Sequence, residues 1–475
     1  MNPEPLNLSC LVAGKKSGTN QVLEVRSPYN KRLAGTVALA GSAQTEEAIK
    51  AALASREKPN RFERSEILNQ AARLLEQRRE FFAHLISSEA GLCIRETIYE
   101  TGRALDVLRF AAIEALRDDG QVFSCDISPQ GKARKIFTVR EPLSLAVAVT
   151  PFNHPLNQVA HKVAPAIAAG VPVILKPSEK TPLTALCFAE LLYEAGLPGP
   201  LLSVLVGPTK EVASRLVSDP RVELVSFTGS VAVGKRIASS AGYKRLVLEL
   251  GGNDPLIVLE DADLDLAVHL AAEGSYRNSG QRCTAVKRIL VQESVHKEFV
   301  SRLVKKTAEY ICGDPLNPET RVGTVIDEAS AIHLQDVTLK AVAGGAVVLA
   351  GGTREGALLA PTVVDNVPRD AEMVVTESFG PLAPVIPVDD LDDAIAMANS
   401  TSFGLSSGVV TNNLQWALKA VRQLRCGTVN INEVPGFRIE NSPFGGIKDS
   451  GLGIKEGVIE AIKCMTHVKT FSLPW

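Results

Sequence analysis

The chain has 475 residues, 45% of them hydrophobic and 22% charged, enough for two or three domains with full cores, which excludes disordered and fibrous classes. A net charge of -2 and a pI of 6.4 offer nucleic acid no basic field, and no lysine or arginine run forms a patch. The first residues lack the basic and apolar regions of a secretory signal, and the apolar stretch 164–175 is too short to span a bilayer, so a soluble cytoplasmic protein is expected.

In chain order, the apolar periodicity predicts amphipathic helices over 45–55, 61–76 and 96–116. The segment 131–141, with Arg134-Lys-Ile-Phe-Thr-Val-Arg140, reads as a strand apart from its neighbours. Short β-rich runs at 143–149, 171–175, 202–206 and 224–227 then alternate with helical stretches such as 184–195. This predicts a doubly wound parallel sheet, the usual seat of a nucleotide. A second alternation, with elements over 255–258, 264–276, 288–291 and 294–310, follows a boundary near 250. The tail Thr466-His-Val-Lys-Thr-Phe-Ser-Leu-Pro-Trp475 reads as another detached strand. Pattern alone leaves open whether the two detached strands pair between subunits or within one chain.

The eight cysteines are at least 29 residues apart, so neither a CxxC nor a metal-ligand spacing occurs, and no metal is expected. Cys283 stands out in the polar turn Asn278-Ser-Gly-Gln-Arg-Cys283-Thr, where Arg282 is expected to lower the thiol pKa. Glu249 ends an apolar run and precedes two glycines, a setting that raises a carboxyl toward general-base range. Asn153, on the proline-stiffened loop after 143–149, offers an amide donor for an oxyanion. Lys176-Pro-Ser178-Glu179 follows the 171–175 strand, where a lysine and a glutamate can bind a ribose diol; Glu179 would repel a 2'-phosphate, favouring NAD over NADP. Gly229-Ser230-Val-Ala-Val-Gly234 is a strand-to-helix turn whose helix amino end can receive a pyrophosphate. Taken singly, each has an ordinary structural reading; together they describe oxidation of an aldehyde through a cysteine.

With Pro-Phe-Asn153, Lys176-Pro-Ser-Glu179, Phe-Thr-Gly229-Ser230, Glu249-Leu-Gly-Gly, Gly-Gln-Arg-Cys283, Glu377-Ser-Phe379-Gly-Pro381 and Pro443-Phe-Gly-Gly-Ile-Lys448 in order, the chain resembles the aldehyde dehydrogenase superfamily over nearly its full length. The 34-residue interval from Glu249 to Cys283 is also similar. The resemblance implies Cys283 as nucleophile, Glu249 as base, and Asn153 with the Cys283 N–H as oxyanion hole. It further implies Glu377 on the nicotinamide ribose and Phe379 against the cofactor. Its architecture would be α/β: a Rossmann-type NAD-binding domain (1–121 and 142–249), an α/β catalytic domain (250–460), and a bridging β oligomerisation element (122–141 and 461–475). That favours pairing of the two detached strands between subunits, in a homodimer or homotetramer.

Arg282, one residue from the nucleophile, suits a short substrate ending in an anion. Arg103, His154 and Arg438 resemble further anion anchors of relatives such as the non-phosphorylating glyceraldehyde-3-phosphate dehydrogenases. Within the superfamily, the Asn-His154-Pro-Leu-Asn, Arg282-Cys-Thr-Ala-Val-Lys-Arg288 and Lys-Thr-Phe-Ser-Leu-Pro-Trp475 segments are most similar to the phosphonoacetaldehyde dehydrogenases. They imply NAD-dependent oxidation of phosphonoacetaldehyde to phosphonoacetate. Glyceraldehyde 3-phosphate, lactaldehyde and semialdehydes are the alternative substrates, and a non-catalytic relative of the fold is the alternative class. Glu249 argues against a coenzyme A-acylating enzyme, which needs no water-activating base.

Overall fold

The structure, a computed structural model, describes residues 4–475. Its first body is built on a nine-stranded sheet in the order Arg245–Glu249, Leu224–Thr228, Ala146–Val149, Val173–Lys176, Leu202–Val204, Leu6–Val12, Leu33–Ala38 and Val22–Arg26, with Lys15–Ser17 beside Leu6–Val12. The first five of these strands run parallel. They are short apolar runs, as expected of strands covered by helices on both faces. From Ala146–Val149 the chain works outward to Leu202–Val204, then returns to the other side for Leu224–Thr228. That reversal opens a crevice at the carboxyl ends of the strands, where α/β sheets bind ligands.

Helices Ser42–Ala54, Arg61–Gln77 and Ile94–Ala115 form within a few residues of their predicted spans. Asn60 and Glu63 close a capping box at the second, Asn60 accepting from Glu63 N at 3.0 Å and Glu63 from Asn60 N at 2.6 Å. Their buried faces, with Ile49, Leu68 and Leu108, share one core with Val147, Ile174 and Val225 of the sheet. The amino-terminal strands and the helix Arg79–Ala90 went unpredicted; alternation of Leu6 and Leu8 with Asn7 and Ser9 is the signal for the first of them.

The chain leaves this sheet at Glu249 and enters the second at Asp254. The second sheet has seven strands, Val347–Ala350, Thr362–Asp365, Leu382–Val388, Val286–Gln292, Asp254–Val258, Ser406–Val410 and Thr428–Ile431, all parallel except the first. Separate cores lie on its two faces, one around Leu290, Leu334 and Ile386, the other around Ile289, Phe299 and Leu303.

The third element is a small sheet of Val122–Ser124, Arg134–Pro142 and Thr466–Pro474. The two detached strands pair with each other within the chain, antiparallel from Thr466 opposite Pro142 to Pro474 opposite Arg134, and Phe137 stacks on Phe471 at 5.3 Å. This departs from the expected pairing between subunits: each strand supplies the apolar partner that the other needs. Just before the tail strand, the helix Val458–Cys464 returns to the first core through Val458 and Met465. Among the described residues no helix is long and apolar enough to cross a membrane.

Candidate active site

Cys283 lies against the link between the two sheets, where a Cβ on Gly252 would come 2.4 Å from the Cys283 carbonyl oxygen. After the helix Leu264–Tyr276 the chain turns through Asn278, Ser279 and Gly280 at φ of 56°, 54° and 68°. Left-handed conformations cost Asn and Ser about 1 kcal/mol or more each, so neighbours must hold the turn. A Cβ on Gly280 would lie 2.0 Å from the Gly380 carbonyl oxygen, so only glycine fits there. Asn278 Nδ2 donates to Asn153 O at 3.0 Å, and Gln281 Oε1 accepts from Ile326 N at 2.8 Å. Asn153 Nδ2 in turn donates to Gln281 O at 2.8 Å, tying the predicted oxyanion residue to the cysteine loop. Asn153 has a second N–H on the same nitrogen.

Burial pushes the Cys283 thiol up to about 11, with Lys287 pulling down and Asp254 pushing further up. The expected net lowering beside Arg282 is corrected here: the two charges attract, but burial outweighs that pull. Arg282 Nη2 donates to the carbonyls of Glu273 (3.0 Å) and Gly274 (2.7 Å), so the guanidinium caps the end of the Leu264–Tyr276 helix. The buried cation beside the cysteine is instead Lys287, which donates to Cys283 O at 3.0 Å, Gly252 O at 2.6 Å and Glu377 Oε1 at 2.5 Å.

Glu249 ends its strand 3% exposed, and neither carboxyl oxygen has a hydrogen-bond partner among the described residues. Burial, then the like charge of Glu456, raises its pKa well above the usual range, against the pull of Lys162, Arg438 and Lys455. Glu456 is itself paired to the fully buried Lys162 at 2.6 Å. A Cβ on Gly445 would come within 2.6 Å of Glu249 Oε1, so the missing side chain makes room for the carboxyl.

Two of the predicted anion anchors gather near these groups. Arg438 packs its guanidinium 3.8 Å from the Phe444 ring and makes no ion pair or hydrogen bond among the described residues. Its charge acts on both Cys283 and Glu249. Arg103 is ion-paired with Glu440, Nε to Oε1 at 2.5 Å and Nη2 to Oε2 at 3.2 Å, and His161 Nε2 bonds the same carboxylate. His154 Nδ1 lies 3.3 Å from Glu100 Oε2, while Glu100 Oε1 accepts from Leu156 N and Asn157 N and so fixes the Asn153 loop.

The residues predicted to hold a dinucleotide line the carboxyl edge of the first sheet. Lys176 Nζ lies 3.2 Å from Glu179 Oε1, and Ser178 Oγ accepts from Lys180 N at 3.2 Å. Ser230 precedes the ten-residue helix Val231–Ser240, and its hydroxyl makes no capping bond, so the helix amino end is open to an anion. A Cβ on Gly234 would lie 2.4 Å from Leu250 Cδ2, and one on Gly229 would lie 2.4 Å from the Phe227 ring. Glu377 Oε1 accepts from Gly252 N at 3.1 Å, and Phe379 meets Phe152 edge-on at 5.9 Å. An open helix amino end, with a lysine and a glutamate at the end of the strand two places away in the sheet, fits a dinucleotide.

The family model described as "Aldehyde dehydrogenase family" matches residues 15–471. The chain belongs to that family. It is 38% identical over 465 residues to the 3-sulfolactaldehyde dehydrogenase of Priestia aryabhattai, covering 97% of each chain. Over 416 residues it is 37% identical to the sulfoacetaldehyde dehydrogenase of Neptuniibacter caesariensis, covering 88% of this chain and 91% of the relative. Its fold matches the NADP-dependent glyceraldehyde-3-phosphate dehydrogenase from Bacillus halodurans C-125, complexed with NADP, at a TM-score of 0.96, 33% identity and 99% coverage of both chains. The chain is thus an aldehyde dehydrogenase of mixed α/β fold.

Four residues around Cys283 and Glu249 have no role legible in the motifs: Lys287, Glu100, Glu440 and Lys162. Lys162 left a legible trace, a lysine inside the apolar helix Asn157–Ala169. Glu440 left none beyond lying two residues from Arg438.

Proposed function

We propose that the chain oxidises a short aldehyde ending in a tetrahedral oxyanion, with NAD as the favoured acceptor, and that phosphonoacetaldehyde is the first substrate to try. The observation that carries this reading is Arg438, a guanidinium stacked on Phe444 with no ion-pair or hydrogen-bond partner among the described residues, whose charge acts on Cys283 and Glu249. A charge-assisted hydrogen bond there contributes about 1.5–3 kcal/mol, enough to rank substrates. Sulfoacetaldehyde is the isosteric alternative, since two relatives carry names of sulfonated aldehydes.

In this reading the Cys283 thiol loses its proton to solvent, the thiolate attacks the aldehyde carbon, and the second N–H of Asn153 and the Cys283 N–H stabilise the resulting thiohemiacetal oxyanion. The dinucleotide, when bound, supplies the hydride acceptor that turns the thiohemiacetal into a thioester. Lys176 and Glu179 would hold its adenosine ribose, the Ser230 helix end its pyrophosphate, and Glu377 and Phe379 its nicotinamide half. Glu249, once ionised, takes a proton from the water that attacks the thioester, releasing the carboxylic acid and the Cys283 thiol. Arg438, with Arg103 behind Glu440, holds the far end of the substrate.

We also infer a homodimer or homotetramer, from exposed Val468, Phe471 and Leu473 on the edge strand Thr466–Pro474 and exposed Trp475 just past it. Light scattering tests it, and a monomer would end it. The substrate test compares kcat/KM for phosphonoacetaldehyde, sulfoacetaldehyde, glyceraldehyde 3-phosphate, succinic semialdehyde, lactaldehyde and acetaldehyde, each with NAD and NADP. An anionic aldehyde should lead; equal rates with acetaldehyde would sink the proposal.

A further inference from the structure

We infer that Glu440 is the resident counter-ion of the anion pocket and sets the charge of the head group it accepts, favouring a singly over a doubly charged one. This rests on the anionic-aldehyde reading above and, within it, ranks sulfoacetaldehyde ahead of doubly ionised phosphonoacetaldehyde. The argument is a charge count around one buried carboxylate. Glu440 is 6% exposed, lies two residues from Arg438, and holds Arg103 by both guanidinium contacts, at 2.5 and 3.2 Å. His161 Nε2 bonds the same Oε2 that Arg103 Nη2 reaches, and burial keeps that imidazole below its ordinary pKa. Although burial pushes Glu440 up, the His161 hydrogen bond and the charges of Arg103 and Arg438 hold it well below the usual carboxylate range, so it is ionised.

Two guanidiniums and one carboxylate leave a single positive charge facing the substrate. The neighbouring charges do not alter that sum. Glu100 and Arg282, whose hydrogen bonds go to neutral backbone groups, carry opposite charges that cancel in the sum. Lys162 and Glu456 neutralise each other. A sulfonate matches one positive charge; a fully ionised phosphonate leaves one negative charge beside Glu440 in a poorly solvated pocket.

The test is Glu440→Gln, which keeps the shape and removes the charge. The kcat/KM ratio of phosphonoacetaldehyde to sulfoacetaldehyde, measured above the second ionisation of the phosphonate, should rise at least about tenfold. Glu440→Asp should restore the wild-type ratio, which a purely structural role would not require. An unchanged ratio in Glu440→Gln overturns the inference. Should that variant fail to fold, the wild type decides through product inhibition. Inhibition by phosphonoacetate should weaken relative to sulfoacetate as pH carries the phosphonate through its second ionisation, and strengthening would overturn the inference. The two readings fail separately: a wild type indifferent to any anionic aldehyde over acetaldehyde ends the substrate proposal, whereas a preference with no shift in Glu440→Gln ends only the role of Glu440.

Discussion

The reacting pole and the anion pocket of this site treat buried charge in opposite ways. Glu249 is buried with both oxygens unpartnered, and burial holds the Cys283 thiol up at about 11. A few residues away in space, Arg103 and His161 converge on Glu440, which is held firmly ionised. Unpartnered buried groups cost stability, and such strain is tolerated where a group must change protonation or form a bond. Paired groups keep one charge state and one geometry, which suits recognition. The difference assigns chemistry to the first cluster and specificity to the second.

The largest effect should come from Cys283→Ser: a loss of kcat of roughly 10⁴-fold or more for every aldehyde, with folding retained on thermal melting. Residual turnover within tenfold of wild type would remove Cys283 from the chemistry. Glu249→Gln should lower kcat by about 10²–10⁴-fold while leaving the first turnover, since only thioester hydrolysis needs the base. A rapid burst of reduced cofactor followed by a slow steady state is the expected trace. Because the folded-state pKa of Glu249 is raised, wild-type kcat should climb with pH as the carboxyl ionises, and the variant should lack that limb. Stability runs the opposite way: the contribution of protonated Glu249 is complete below its unfolded pKa and is lost as pH rises through the folded value. The variant should therefore lose less stability on the alkaline side.

Much of the reacting pole was legible because its residues announce themselves locally. Cys283 interrupts a polar turn three residues before the Val286–Gln292 strand, and Glu249 closes an apolar strand. The pocket's electrostatics were not legible. Arg282 is adjacent to Cys283 in sequence, yet the left-handed turn at Asn278–Gly280 and the helix end beside it draw its guanidinium toward two carbonyls. Lys287, four residues on, supplies the buried cation in its place. Glu440 meets Arg103 across 337 residues of chain, a distance no local pattern spans. The pairing of Arg134–Pro142 with Thr466–Pro474 is a similar case: both strands could be read, but not which partner each would take.

Sharpening the recognition side, Arg438→Ala should raise KM for anionic aldehydes by about 10–100-fold and affect acetaldehyde far less. Arg282→Ala should discriminate less between them, because its donors serve the Glu273 and Gly274 carbonyls. If Arg282→Ala proved the more selective of the two, the guanidinium would have to swing into the pocket on substrate binding, and the ranking drawn from this geometry would fall.

The smallest effect concerns the cofactor. Glu179 is 43% exposed in its side chain and paired with Lys176 at 3.2 Å, so its repulsion of a 2'-phosphate is partly screened by water and by that lysine. Glu179→Ala should therefore improve kcat/KM for NADP by only about 3- to 10-fold, and should weaken NAD binding modestly through loss of a ribose hydrogen bond. Titrating both cofactors against wild type and variant separates the two effects. If Glu179 excludes NADP, the gain shrinks as salt rises, because added ions already screen the repulsion in the wild type. A change confined to NAD, with NADP unmoved, would mean that Glu179 holds the ribose without excluding the phosphate, and the NAD preference would then need another source.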